Sequence, residues 1–439
     1  MANTLTASSI DTLTKRLREP SWLTALRQQA LARHTELPWP HPSDDIWRRT
    51  DVSLLDPARG EFSPAEAGLL EHVALTDSRF AALTQPLGDE RLLTRVNGAW
   101  LTQAGASAGS AIRVEELAQA LTHSAETLRP ILESDGLTAA EQKLTSLNGA
   151  FHHDDLVVQV PPGHTAEVPF RLVHCASVGA KQALFPLTII RLGAGSRLTL
   201  IDEYVSLPEA GGETPHLING RIEIILEEGA ALHYVRLQRW GSQACEFLLQ
   251  QATLAKGASL TAANINLGAA LSKAHMVTRL SGERASAKLY GFVFGHDRQH
   301  IDQHTLQDHL APHTESDLEF RAALQDESRL VYTGLIRIAK AAVQTNAFQA
   351  NHNLMLSPTA RAETIPMLEI LADDVQCKHG ASVGPIDDEQ AFYLMSRGIP
   401  REAAQRLIVM GYVESIIQRV PFAPLQEQLR REIEGGLRA

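Results

Sequence analysis

Cysteine is scarce in this chain: three in 439 residues, at Cys175, Cys245 and Cys377. An odd, widely spaced set supplies no disulfide framework and fits a reducing compartment. No two cysteines form a C-x-x-C pair. A cluster held wholly by thiolates of this chain would need about four of them, so that arrangement is excluded. The sequence also contains no Gly-Lys dipeptide, and without one there is no P-loop to hold a nucleotide. It has no H-E-x-x-H and no spaced zinc pattern. No apolar run approaches the roughly 18 residues expected of a membrane-spanning helix. The opening residues, with Asp11 and Glu19 and no central apolar stretch, resemble neither a signal peptide nor a transit peptide. The expected compartment is the cytoplasm.

Positive charge is in deficit as well. Forty Lys and Arg face 51 Asp and Glu, a net charge of −11. That balance speaks against electrostatic capture of nucleic acid or of an anionic membrane surface. The remainder, 44% apolar and 21% charged, is ordinary for a globular protein with enough length for two or three domains.

Hydrophobic periodicity divides the chain. Leu13 and Leu17, then Leu23, Leu26, Ala30 and Leu31, follow helical spacing, as do Leu117, Leu121, Leu128, Ile131 and Leu132 within Val114 to Leu147. Between them Leu37-Pro-Trp-Pro-His-Pro42 breaks the helix. After Asn148 the period becomes two. Segments such as Leu187–Leu192, Arg197–Asp202 and Leu232–Leu237 are β-branched, apolar and bounded by glycines. Strand patterning continues through Lys288–Phe294, Val331–Ala339 and Met367–Val375.

A short motif, L-x-x-G-[SA]-x-L, recurs at Leu192, Leu226 and Leu254, with a weaker copy at Val160; the starts lie 32, 34 and 28 residues apart. A strand–glycine turn–strand unit at that interval is a solenoid signature, because each unit buries its apolar face only against its neighbours. The expected fold is mainly β, a parallel β-helix flanked by N-terminal and C-terminal α-helical domains, with a jelly roll as the alternative. The boundaries are read as residues 1–147, 148–384 and 385–439. At the end, Asp387 signals a helix start, Gly398 a stop and Pro400 a second start, and helix 401–420 is apolar nearly all round.

Two constellations offer ligands. In Asp373-Asp-Val-Gln-Cys-Lys-His-Gly380, Cys377 and His379 sit two apart, on one face of a strand. A thiolate and an imidazole suit iron or zinc, yet two ligands are half of a tetrahedral set. Any metal bound there draws further ligands from another chain. By itself the pattern is better read as a buried packing cysteine beside a solvated histidine at the strand end. His296, His300 and His304, with Asp302, form the second group, read as polar strand-face residues that hydrogen-bond within the solenoid.

Several motifs carry a family resemblance. They are Gln299-His300, His304 and His309-Leu-Ala-Pro-His313, then Gln344-Thr-Asn-Ala-Phe-Gln349-Ala-Asn351, then Pro366-Met-Leu-Glu-Ile370. Ala372-Asp-Asp-Val375, Cys377-Lys-His-Gly380 and Phe392-Tyr-Leu-Met-Ser-Arg-Gly-Ile399 follow. Together they resemble the SufB/SufD family of iron–sulfur cluster assembly proteins from about residue 147 to 420. The Cys-x-His-Gly-Ala stretch followed by Val383-Gly is similar to the SufD branch of that family. The resemblance implies a non-catalytic scaffold that pairs with a SufB-like chain through the β-helix and docks a SufC-like ATPase through the C-terminal helices. It implies His379, with Cys377 as the weaker candidate, as ligand to a transient iron–sulfur cluster at the SufB interface, none being held stably by this chain alone. A homodimer in isolation is a further expectation. The competing class is a carbohydrate-active enzyme on a similar solenoid, which needs paired carboxylates; the pairs Asp154–Asp155, Glu227–Glu228 and Asp373–Asp374 are scattered along the chain.

Overall fold

A computed structural model describes residues 5–59, 62–64, 83–102, 111–134, 138–177, 181–207 and 215–437. From residue 154 to 385 the backbone winds so that successive turns add strands to two sheets. The first sheet runs from Asp154–Val160 through Pro186–Leu192, His216–Leu226, Ala244–Leu254, Leu271–Leu280, His300–His309 and Arg329–Ile338 to Arg361–Ile370. The second runs from Phe170–Ala176 through Arg197–Ser206, Ala231–Arg239, Ser259–Asn266, Ser286–Gly295, Glu315–Leu324 and Thr345–Met355 to Val375–Pro385. All these pairings are parallel. The fold is therefore the β-helix, and the jelly roll, which is antiparallel, is set aside.

The recurring glycine explains how the turns stack. Gly163, Gly195, Gly229 and Gly257 have φ of 71°, 67°, 66° and 64°, in the left-handed region that a side chain disfavours. The Gly195 N–H donates to the Glu228 carbonyl at 2.8 Å, and the Gly229 N–H donates to that of Lys256 at 2.9 Å. The same ladder continues through Gly257 to Glu283, Arg284 to Pro312, His313 to Val343 and Gln344 to Asp374. Past Gly257 the left-handed position is held by Arg284, His313 and Gln344, at φ of 60°, 58° and 57°. The structural repeat thus outlasts the sequence motif.

Three apolar layers follow from the period-two pattern. Side chains pointing inward, among them Leu200, Ile224, Leu232, Leu260, Leu318 and Tyr332, fill the solenoid. The outer face of the first sheet lies under Ala7–Leu17, Ser21–Glu36, Leu117–Glu133 and Ala139–Phe151. The outer face of the second, with Tyr290, Phe292 and Phe294, lies under Arg401–Ile417 and Ala423–Gly436. Asp387 caps Asp388–Ser396 by accepting from the Glu389 N–H at 2.8 Å, and Pro400 precedes Arg401–Ile417, as the sequence signals require.

Three expectations need correction. Val114 begins a strand, not a helix: Arg113–Glu116 pairs antiparallel with the first solenoid strand. Met367–Val375 is not one strand, because residues 371–374 form the corner between the last strands of the two sheets. The apolar helix ends at Ile417 and a further helix, Ala423–Gly436, covers it. Arg91–Val96, which the pattern left unassigned, adds a parallel strand to the second sheet beside Phe170–Ala176.

Candidate functional site

The solenoid ends in an open rung. Arg361–Ile370 and Val375–Pro385 are the last strands of their sheets, each paired on one side only. The other side of each leaves a row of backbone donors and acceptors without ladder partners. Register shows what the missing neighbour would cover. Leu368 and Ile370 lie opposite Ile336 and Ile338, which are 0% exposed, whereas Leu368 and Ile370 are 38% and 41% exposed. Val383 and the corner residue Leu371 are also exposed. Inward-facing positions that every earlier rung buries here meet solvent.

Cys377 and His379 stand on this rung. They align with Ala347 and Gln349, both buried to 1%, so the pair continues an inward-facing column, about 6.6 Å apart along the strand. Cys377 is half-buried against Ile336, Ile338, Ala342, Ala347 and Ala372, and burial pushes its thiol up. A protonated thiol is a poor ligand until a metal or cation lowers it. His379 is exposed, with no rung above it. Among the described residues no group of three or more His, Cys, Asp or Glu is placed to hold a metal ion.

The histidine run lies elsewhere. His296 sits in the turn before His300–His309 and contacts Asp297 at 2.8 Å. His304 lies on the outer face of the first sheet, 2.8 Å from Asp302, and Lys273 reaches Asp302 at 2.6 Å and the Ile46 carbonyl at 2.7 Å. Thr50 also donates to Asp302. With Lys273 and His304 beside it, the Asp302 carboxyl stays well below its ordinary range despite burial. Burial and Lys273 hold His304 down at about 4. The cluster ties the N-terminal segment to the sheet. Its members at 46, 50, 273, 302 and 304 share no local motif, and strand pairing alone brings them together. His309 faces inward, 2.8 Å from the hydroxyls of Thr314 and Ser316.

The acidic pairs do not converge on one groove. Asp154 contacts Arg95 at 3.0 Å and Asp155 contacts His152 at 2.5 Å where the solenoid begins. Glu227 pairs with Arg191 in a turn, and Asp373 and Asp374 occupy the last corner. One stretch with the Gly-x-Ser-x-Gly spacing of a hydrolase elbow, Gly105-Ala106-Ser107-Ala108-Gly109, lies outside the described residues.

The fold is a helix-covered parallel solenoid whose terminal rung is an unpaired edge, able to pair with another strand. Residues 174–412 match the family model described as the SUF system FeS cluster assembly, SufBD core domain. The chain belongs to the SufB/SufD family. It is 31% identical to the iron–sulfur cluster assembly protein SufD of Escherichia coli K12 over 251 residues, 56% of this chain and 58% of that protein. The matched part is thus under two thirds of that relative. It is 26% identical to SufD of Bacillus subtilis over 422 residues, 95% of this chain and 94% of the relative. SufB of Bacillus subtilis matches at 26% over 307 residues, 68% of this chain and 64% of that protein.

Proposed function

We propose that this chain is a scaffold subunit, without turnover of its own, of a cytoplasmic iron–sulfur cluster assembly complex. It pairs through the open end of its solenoid with a SufB-like chain and docks a SufC-like ATPase on its C-terminal helices. His379 is lent to a cluster that forms transiently at the junction, with Cys377 beside it in a mainly packing role. The cluster is cargo; the second half of its ligand set comes from the partner. Support comes from family membership and from relatives named SufD and SufB. The observation that carries the reading is the last rung, where Leu368, Ile370 and Val383 are exposed around the strand that bears His379. A neutral imidazole has a lone pair for iron, and a free parallel edge is a template for a second chain.

The test is co-purification. Ile370→Glu together with Val383→Glu places charge on the bare rung. A carboxylate there would be desolvated without a partner on pairing, which is strongly unfavourable. The double variant should lose the SufB-like chain from the purified complex while still retaining the ATPase. Unchanged recovery of the SufB-like chain would sink the pairing surface. The same edge also accepts a second copy of this chain, so the wild type alone should show a dimer in light scattering that the variant reduces to monomer.

A further inference from the structure

The outer face of the first sheet carries a pocket of about 470 Å³ between the strands, the segment at Ile46 and the start of helix Ala139–Phe151, with Thr138 and Glu141. Its floor is laid down by strand register. His275, His304 and Thr333 align across three strands. Two residues further along lies an apolar row, Val277, Leu306, Leu335 and Met367. Parallel in-register strands of period two produce such rows, and four strands make one about 14 Å long. The next row alternates in charge and neutralises itself: Arg337 donates to both Asp308 oxygens, at 2.9 and 2.6 Å.

The polar row holds two imidazoles, and that of His275 is oriented from behind. His275 Nδ1 is 2.6 Å from the Glu141 carboxylate, which can only accept, so Nδ1 holds a proton, and in the neutral ring Nε2 is then an acceptor. That Nε2 is buried without a hydrogen-bond partner. His304 Nε2 lies 2.8 Å from Asp302 and 3.2 Å from the Lys273 ammonium, so this ring is held within the buried ion pair. The rings lie 4.8 Å apart, centroid to centroid. A pocket of several hundred Å³ with an apolar floor and a few convergent polar groups is the usual form of a small-molecule site.

We propose that this pocket binds a neutral, mainly apolar small molecule carrying one N–H or O–H donor. Its body lies along the Val277 to Met367 row and its donor meets His275 Nε2. The self-neutralised charged row gives no advantage to an ion. This site lies outside the His379 rung and does not rest on the assembly role.

The test uses the full-length chain with 2-naphthol as probe and 2-methoxynaphthalene, which lacks the donor, as comparator, both followed by calorimetry. Saturable binding of one 2-naphthol per chain is expected, with the methyl ether weaker by roughly tenfold, the worth of one hydrogen bond. Leu335→Trp, which fills the pocket from a partly exposed position, should abolish binding with circular dichroism and melting temperature unchanged; Leu306→Trp is the second variant. In the wild type the Met367 methyl resonance should shift on titration, a readout that needs no variant. Absence of saturable binding, equal affinity for the two probes, undiminished binding by a folded tryptophan variant, or a stationary Met367 signal would each overturn the proposal.

Discussion

His309 shows how a buried histidine acts in this fold. Its two nitrogens meet the hydroxyls of Thr314 and Ser316 inside the solenoid, and burial lowers its pKa from 6.5 to about 4. The folded chain therefore keeps this ring neutral where the unfolded chain protonates it. The stability it contributes is present above pH 6.5 and is lost as pH falls toward 4, up to about 3 kcal/mol. His304, also held at about 4, acts in the same direction. Asp155, raised by burial to about 7, acts in the opposite one: between its ordinary 3.8 and about 7 its contribution falls as pH rises. His309→Gln keeps a donor and an acceptor but cannot titrate. Urea unfolding at several pH values should show a smaller loss between pH 6.5 and 4 for this variant than for the wild type. Parallel profiles would mean that His309 is not the neutral, buried ring described here.

At the scale of elements, the turns decide what could be read in advance. L-x-x-G-[SA]-x-L is visible at Leu192, Leu226 and Leu254 because those turns place glycine in the left-handed position. It fades where Arg284, His313 and Gln344 adopt the same backbone. Period-two patterning carried the prediction across that gap, but it could not locate the corner at residues 371–374. Nor could it join Arg91–Val96 to a strand some 80 residues later, since pairing partners leave no local trace. Gly229→Ala should cost about 1–2 kcal/mol in chemical denaturation, the penalty of a left-handed alanine. The same change at Gly380, which has no neighbour within 4 Å of an added Cβ and no positive φ recorded, should cost far less. The C-terminal helices were legible from their caps and the broad apolar face of residues 401–420 from its spacing, but which apolar side chains stay bare was not. Val409, Val413 and Ile416 seal the second sheet, while Phe392, Tyr393 and Leu407 stay 71%, 57% and 54% exposed. Deleting the helices would bare Tyr290 and Phe292, so the proposed ATPase surface is better tested with Phe392→Asp and Leu407→Asp. These should abolish capture of the ATPase and leave melting unchanged; retained capture would place docking elsewhere.

For the whole molecule, the architecture has a covered flank on each sheet and an uncovered end. No helix among the described residues is long and apolar enough to cross a membrane. The Cys377–His379 pair was legible as two side chains of ligand type on one strand face, and register puts both in the inward column of the last rung. The exposure of that rung was not legible, since only the count of turns reveals which strand is last. On the proposed reading, His379 acts only when another chain completes the site. The most direct measurement is therefore iron and sulfide content per complex, with absorption spectra, for His379→Ala assembled anaerobically with the SufB-like chain and the ATPase. The reading predicts an intact complex whose cluster yield falls by roughly tenfold or more, in line with the loss of a metal-site residue, and a milder loss for Cys377→Ala. Wild-type cluster yield from the intact His379→Ala complex, or loss of yield only because the complex falls apart, would contradict it.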